Sequence, residues 1–298
     1  MHFAKHETFH IREGWLFKGM AAIKRAQENN QLATIFLDKD APERLGMGRN
    51  MVHSLRFWMQ ATGLAEETRQ QLRTVQRLTP FGEQVWRFDP YLENDGTWWL
   101  IHYHLACSQE QATTWYWFFN HLAPTAFEMA ACQEALENWV ITNEPNRKVS
   151  PRSLKRDLDC LLKTYAVSDK ASTPEDLIEC PLSRLGLLNK VSAKRYRLER
   201  LRVERLHSLV LLYVLVDRQQ KSRPSRQVGL NEVLRESMNA GRVFNLTTTM
   251  LVELLAEIKK FAPTWRVQFV RTAGLDQLTL PECRPDEVLA RYYENYIA

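Results

Sequence analysis

The chain has 298 residues, of which 45% are hydrophobic and 25% are charged, and this composition excludes a largely disordered or fibrous protein. The formal net charge of +5 favours an acidic partner such as nucleic acid. Five cysteines lie far apart without a CxxC pair and the longest apolar run, 209–216, is too short to span a bilayer, so we expect a cytoplasmic protein without a disulfide framework or zinc site.

Three helices open the predicted fold. The first covers 15–27, the second covers 40–45, and a tight turn over 46–48 leads into the third, which ends at Gly63. At helical spacing, the third helix has one polar, basic face and one apolar face. The polar face carries Arg49, His53, Arg56 and Gln60, and the apolar face carries Met51, Leu55, Trp58 and Met59.

The second and third helices have the pattern of a helix-turn-helix, whose second helix presents its polar face to DNA. Arg49, Asn50, His53 and Arg56 are therefore predicted to bind DNA. A solvated surface helix that packs on its apolar side is an equal alternative. Pro80 and Gly82 mark the predicted turn at the end of a wing hairpin, which completes an N-terminal winged-helix-like domain over 1–87.

The middle region, 88–183, is predicted to be helical and rich in aromatic side chains. Two clusters, 97–103 and 114–119, carry much of the large apolar surface of the chain. Rings at this density usually fill a core, although stacking on unpaired bases is an alternative. A polar linker over 143–150 and an amphipathic helix over 153–165 follow.

A basic strip begins the last predicted domain, 184–298. Between Arg184 and Arg205 there are eight Lys or Arg residues and two acids. Apolar residues alternate with these charges, which predicts an extended sheet edge that presents cations on one side. Arg195, Arg197 and Arg200 are predicted to contact DNA phosphates, while protection of an exposed strand edge is the equal alternative.

The rest of this domain repeats the plan of helices and a hairpin. Helices are predicted over 206–218, 230–238 and 247–261, followed by a β-hairpin whose turn is Ala273–Gly274. The predicted fold is thus mainly α with small β-hairpins, in which two winged-helix-like domains are joined by a helical, aromatic-rich middle.

Hydrolysis of a phosphodiester usually needs a divalent metal held by carboxylates, or a nucleophile with an activating base. Asp89, Glu93 and Asp95 form weak catalytic candidates in a loop, with Mg²⁺ or Mn²⁺ as the possible cofactor. Other acids could equally cap or solvate helices. These are Asp157, Asp159, Glu175, Asp176 and Glu179.

Several short motifs together resemble one bacterial family. They are His6-Glu7-Thr8-Phe9, Gly14-Trp15-Leu16, 45–52, 78–82, 89–93, Cys180-Pro181-Leu182 and 272–275. The set resembles the SspB family, which accompanies single-stranded DNA phosphorothioation systems in bacterial defence. The resemblance implies an endonuclease that nicks double-stranded DNA and works with a cysteine desulfurase, an ATPase and an ATP-pyrophosphatase-like protein. It assigns no catalytic residue to a position in this chain.

Two functions therefore stand at the level of sequence. The first is a metal-dependent DNA nickase that opens the backbone for sulfur insertion. The second is a non-catalytic DNA-binding subunit that positions partner enzymes, and it is favoured by the lack of a clear nuclease motif.

Overall fold

The structure is a computed structural model that describes residues 1–70, 72–122, 124–167, 179–222, 225–272 and 275–297. It is mainly helical with three small sheets, as predicted. The helices are α1 Trp15–Glu28, α2 Ala41–Leu45, α3 Arg49–Ala61, α4 Pro80–Phe88, α5 Asp95–Cys107, α6 Thr113–His121, α7 Met129–Asn143, α8 Pro151–Tyr165, α9 Ser208–Ser222, α10 Leu230–Arg235, α11 Ala240–Val243, α12 Thr248–Phe261 and α13 Pro285–Ile297. The strands are β1 Ala65–Gln70, β2 Arg73–Leu78, β3 Ala126–Glu128, β4 Leu188–Lys190, β5 Arg195–Leu198, β6 Gln227–Gly229, β7 Gln268–Thr272 and β8 Leu275–Thr279.

The first part of the chain contains the three predicted helices, α1 to α3, followed by a hairpin. Gly63, at φ 71°, lies just beyond the end of α3, where a residue without a Cβ is favoured. Strands β1 and β2 are antiparallel, and Ala65 lies opposite Leu78. The extended segment between α1 and α2 joins them, because the Gln76 N–H donates to the Ala33 carbonyl at 2.8 Å.

The turn predicted at Pro80 and Gly82 was wrong, because these residues form the first turn of α4. Thr79 caps this helix by accepting a hydrogen bond from the Gly82 N–H at 3.0 Å. Proline is favoured at the first helical position, where its missing N–H costs nothing. The hairpin turns earlier, between Gln70 and Arg73.

Replacement of Gly82 by alanine is expected to lower the free energy of unfolding by about 2 to 3 kcal/mol. A Cβ at Gly82 would overlap the backbone carbonyl of Leu64, which cannot move without disturbing the start of β1. Urea denaturation would measure the loss. Gly19→Ala is the control, because its Cβ would meet only the flexible side chain of Met59. Equal losses for the two variants would contradict the backbone clash.

The aromatic middle region is helical, and most of its rings are core, as predicted. Helices α5 and α6 pack against each other and bury their large rings. The buried rings are Trp98, Trp99, Tyr103, Trp115, Tyr116, Trp117, Phe118 and Phe119. They are therefore enclosed by protein and not exposed for base stacking.

The basic strip was predicted to form the edge of a sheet, and this was wrong, because its strand is central. The predicted alternation of exposed and half-buried residues along the strand was right. Strand β5 exposes Arg195 and Arg197 and half-buries Tyr196 and Leu198. It lies in the centre of a three-stranded sheet in the order β3-β5-β4. Both edges of its backbone are therefore paired, and edge protection is not the reason for its arginines.

The last part of the chain contains the predicted helices α9, α10 and α12, and its hairpin is β7–β8. A third strand, β6, was not predicted and gives the sheet order β6-β8-β7. The Ala273–Gly274 turn lies outside the described residues. The final helix, α13, was also not predicted and packs against α9 and α4.

One continuous hydrophobic cluster extends from Ile11 to Tyr293 and crosses all three predicted domains. Hydrogen bonds join its distant parts, since the hydroxyls of Thr97 and Tyr293 are 2.7 Å apart and Tyr292 donates to Asn94. The predicted boundaries at 87/88 and 183/184 stay predictions. Within the described ranges, no helix is long and apolar enough to cross a membrane.

Candidate nucleic-acid interface

Helix α3 is held in place through its apolar face. Leu55, Trp58 and Met59 are at most 1% exposed, and Gly19 of α1 lies close against Met59. The Trp58 indole N–H donates to the Phe9 carbonyl at 3.0 Å, which ties the helix to the N-terminal arm, residues 1–13. The opposite face is therefore presented to solvent in a fixed orientation.

The outward face of α3 carries most of the predicted DNA-binding residues. Arg49, Asn50 and His53 are exposed. Neither Arg49 nor His53 has a hydrogen-bond or ion-pair partner among the described residues. Their donors are thus available to an anionic partner.

Arg56 is different, because it is paired within the protein. Its guanidinium binds the Glu67 carboxylate of β1 through two contacts, Nε to Oε1 at 2.5 Å and Nη2 to Oε2 at 2.7 Å. These hydrogen bonds raise the pKa of Arg56 above its ordinary value. Burial acts to raise the pKa of Glu67, but hydrogen bonds from Arg56 and Gln76 outweigh it and hold that pKa below its ordinary value. Arg56 therefore offers a DNA phosphate less charge than an unpaired arginine does.

Other cations beside α3 were missed in the sequence. Lys5 and His2 of the N-terminal arm line a cleft of about 410 Å³ together with His53 and Arg56. Arg69 and Arg73, exposed near the turn of the β1–β2 hairpin, were also missed. The sequence holds a partial signal for these last two, because they flank a polar turn, but the arm residues are distant in sequence from α3.

The predicted phosphate contacts lie on and after β5. Arg195 and Arg200 are exposed and have no ion-pair partner among the described residues. Arg197 is bound to Glu199, with Nη2 2.7 Å from Oε1. The three residues are close together in the chain, and Arg195 and Arg200 are the two that are available to an anion.

Helix α12, which comes before the second hairpin as α3 comes before the first, has a different outward face. Its exposed residues are Thr248, Thr249, Glu253, Ala256, Lys259 and Lys260. The two lysines lie at the C-terminal end of the helix, and Lys260 is paired with Glu257 at 3.4 Å. The first turns of this outward face carry no basic residue, whereas the first turns of α3 carry Arg49 and His53.

The acidic loop after α4 is a folding element. Asp89 is 7% exposed, and its carboxylate accepts hydrogen bonds from the Glu93 N–H, the Asn94 N–H and the Thr97 hydroxyl, at 2.8, 3.2 and 2.6 Å. Burial raises the pKa of Asp89 above its ordinary value although these bonds oppose it. Both carboxylate oxygens of Asp89 are engaged, whereas Glu93 and Asp95 are exposed. Asp89 is therefore not available as a ligand to magnesium or manganese, which would need free carboxylate oxygens, and metal binding by this loop stays a prediction.

The remaining acids are placed as follows. Asp157 is buried against His6, while Asp159 is exposed. Glu175 and Asp176 lie outside the described residues, and Glu179 borders a cleft of about 420 Å³. In the described ranges, no group of three or more His, Cys, Asp or Glu side chains is arranged to hold a metal ion.

Comparison with known families decides where this architecture belongs. The model of a family described as "protein of unknown function (DUF4007)" matches residues 3–293. The chain belongs to the DUF4007 family. No curated protein matches the chain.

Solved structures extend this assignment. This DUF4007 chain is similar to a magnesium ion-bound crystal structure of SspB, with a TM-score of 0.86 and 26% identity over 99% of this chain and 88% of that one. A further SspB crystal structure gives a TM-score of 0.84 and 27% identity over the same shares. The chain is therefore SspB-like along nearly its whole length, which confirms the family resemblance found in the sequence motifs.

Proposed function

We propose that this protein is a DNA-binding component of a phosphorothioation system. The observation that carries the proposal is the SspB-like architecture over 99% of the chain, combined with Arg49 and His53 on α3, which are exposed and have no partner among residues 1–70, 72–122, 124–167, 179–222, 225–272 and 275–297. Double-stranded DNA is the partner, with α3 at a groove and Arg195, Arg197 and Arg200 at phosphates. The cysteine desulfurase, the ATPase and the ATP-pyrophosphatase-like protein of such systems are the proposed protein partners.

The strand order supports two winged-helix units. In the first, the order along the chain is α1, an extended segment, α2, α3, β1 and β2. The extended segment is hydrogen-bonded to β2 at Ala33. In the second, β6 pairs with β8, and α9, β6, α10, α12, β7 and β8 follow a similar order, with α11 as an additional short helix between α10 and α12. Helices α3 and α12 therefore have corresponding places, and α3 carries Arg49 and His53 on the first turns of its outward face, which suits DNA.

Nicking of DNA is the activity proposed for the protein on the basis of this family. The magnesium ion bound to one SspB structure supports a test with Mg²⁺ and Mn²⁺. Because the Asp89 carboxylate is engaged by three donors, we assign no catalytic step to it. That engagement favours the second candidate function, a subunit that positions partner enzymes on DNA without cutting it.

One experiment separates the two functions. Purified protein is incubated with supercoiled plasmid, with and without Mg²⁺ or Mn²⁺, and formation of the open circle is followed beside duplex binding at two salt concentrations. Metal-dependent nicking supports the enzyme. Salt-sensitive binding without nicking supports the positioning subunit, and absence of both contradicts the proposed function.

For the binding face, Arg49→Ala combined with His53→Ala is expected to weaken duplex binding by about 1 to 3 kcal/mol, because neither side chain is bound by another residue in the part of the chain that the structure describes. Glu67→Gln should act in the opposite direction, since it releases Arg56 from its carboxylate. Fluorescence anisotropy at several salt concentrations measures both effects. Binding that is unchanged in the double variant would contradict the role of α3.

A further inference from the structure

Four arginines line a further cleft. It has a volume of about 360 Å³ and lies between the short helix Pro181–Leu185, β4 and the segment after β5. This volume is in the range of pockets that hold small ligands. Its polar lining consists of Asn189, Arg197, Glu199, Arg200, Arg202 and Arg205.

The ion pairs formed by the described residues do not balance the charges of this cleft. Among the described residues that line it, Glu199 is the one acid, and its carboxylate is bound by Arg197. Arg200 and Arg202 are exposed and have no ion pair with any described residue. Arg200, Arg202 and Arg205 therefore line one concave space without an ion pair to a described residue. Their mutual repulsion favours binding of an anion.

The backbone orients one of these groups. Arg205 donates from Nη1 towards the carbonyls of Arg184 and Leu185, at 3.3 and 3.5 Å. Gly186 has φ 68°, and a Cβ there would lie 2.7 Å from the same Nη1. Glycine thus lets the guanidinium lie against the main chain, so the cleft has a defined wall and is not a loose group of surface arginines.

We propose that this cleft binds a phosphate group. Guanidinium groups present paired N–H donors that match phosphate oxygens, and several guanidiniums around one space suit a group with more than one negative charge. The phosphate belongs either to a DNA strand or to a free nucleotide. Binding of a DNA strand in this cleft rests on the proposed function, whereas binding of a free nucleotide does not.

The cleft includes only some residues of the basic strip. Arg195 belongs to the strip but does not line the cleft. Arg202 and Arg205 line the cleft, although they are not among the arginines predicted to contact phosphates. The proposal therefore assigns different roles to arginines that look alike in the sequence.

The test uses the full chain and isothermal titration calorimetry. The probes are inorganic phosphate, AMP, and a short single-stranded oligonucleotide with or without a 5′-phosphate. The double variant Arg200→Gln, Arg202→Gln removes two exposed charges without touching the core, and we expect it to weaken binding about tenfold or more. Arg152→Gln, on the exposed start of α8, is the control for loss of charge alone.

The outcomes are distinct. Weaker binding of AMP and inorganic phosphate assigns the cleft to a free nucleotide, and weaker binding of the oligonucleotide assigns it to a strand. Dependence on the 5′-phosphate shows that the bound group is terminal. Affinities equal to those of the unaltered protein, or a similar loss in Arg152→Gln, overturn the proposal. If the protein neither binds duplex DNA nor nicks plasmid but the cleft still binds AMP, the proposed function fails and the cleft remains.

Discussion

Asp157→Ala is expected to lower the free energy of unfolding by about 3 to 5 kcal/mol, because it removes a buried carboxylate and leaves its three hydrogen-bond donors unsatisfied. Asp157 and His6 are 2% and 1% exposed. One carboxylate oxygen accepts from the Ala4 N–H at 2.7 Å and from His6 Nε2 at 2.8 Å, and the other accepts from the Thr114 hydroxyl at 2.7 Å.

The histidine is held in one tautomer by its neighbours. The Thr8 N–H donates to His6 Nδ1 at 3.1 Å, so Nε2 carries the proton that it donates to Asp157. The network fastens the N-terminal arm to α6 and α8. Because Lys5 and Glu7 of this arm line the cleft beside His53, loss of the network also disturbs the surroundings of α3.

Urea denaturation and limited proteolysis of the arm would measure this effect. Asp159→Ala, an exposed acid two positions further along α8, is the matched control and should cost little. Asp157→Asn should lie between the two, because an amide still accepts through one oxygen. A loss in Asp157→Ala no greater than in Asp159→Ala would contradict the role of the network.

Acid is expected to destabilise the protein strongly between pH 6.5 and pH 4 through the buried His102 and the half-buried His104. Burial lowers the pKa of His102 from 6.5 to about 4, although a hydrogen bond to the Val243 carbonyl opposes this. Burial likewise lowers the pKa of His104 from 6.5 to about 4. Both rings are therefore neutral in the folded state where the unfolded chain takes up protons.

The direction follows from the protons bound in each state. Above pH 6.5 both histidines are neutral whether the chain is folded or not, and their contribution does not change. As the pH falls towards 4, only the unfolded chain is protonated, so stability is lost. Each histidine can account for about 3 kcal/mol of this loss.

The free energy of unfolding would be measured by urea denaturation at several pH values between 6.5 and 4. His104→Phe removes one titrating ring and should reduce the slope with pH by about one proton. A stability that does not depend on pH in this window would contradict the assignment of neutral His102 and His104 rings in the folded protein.

Features that depend on near neighbours in the chain could be predicted from the residues alone. The two faces of α3 follow from residues that recur every three or four positions, and the alternation of Arg195 and Arg197 with Tyr196 follows from the period of a strand. The helix α12 and the final hairpin were found in the same way. Short motifs along the chain were sufficient for the family.

Which charged groups are free and which are already bound depends on how the chain folds. Strand β5 is central because β3, which is distant in sequence, pairs with it. Arg56 of α3 is bound by Glu67 of β1, and the Asp89 carboxylate accepts hydrogen bonds from its own loop and from α5. The arginine cleft exists because the chain folds Leu185 and Arg205 together. The periodicity of a helix or strand does not reveal such contacts, because it describes only which residues share a face, and these contacts determine whether Arg56, Asp89 and the cleft arginines can meet a ligand.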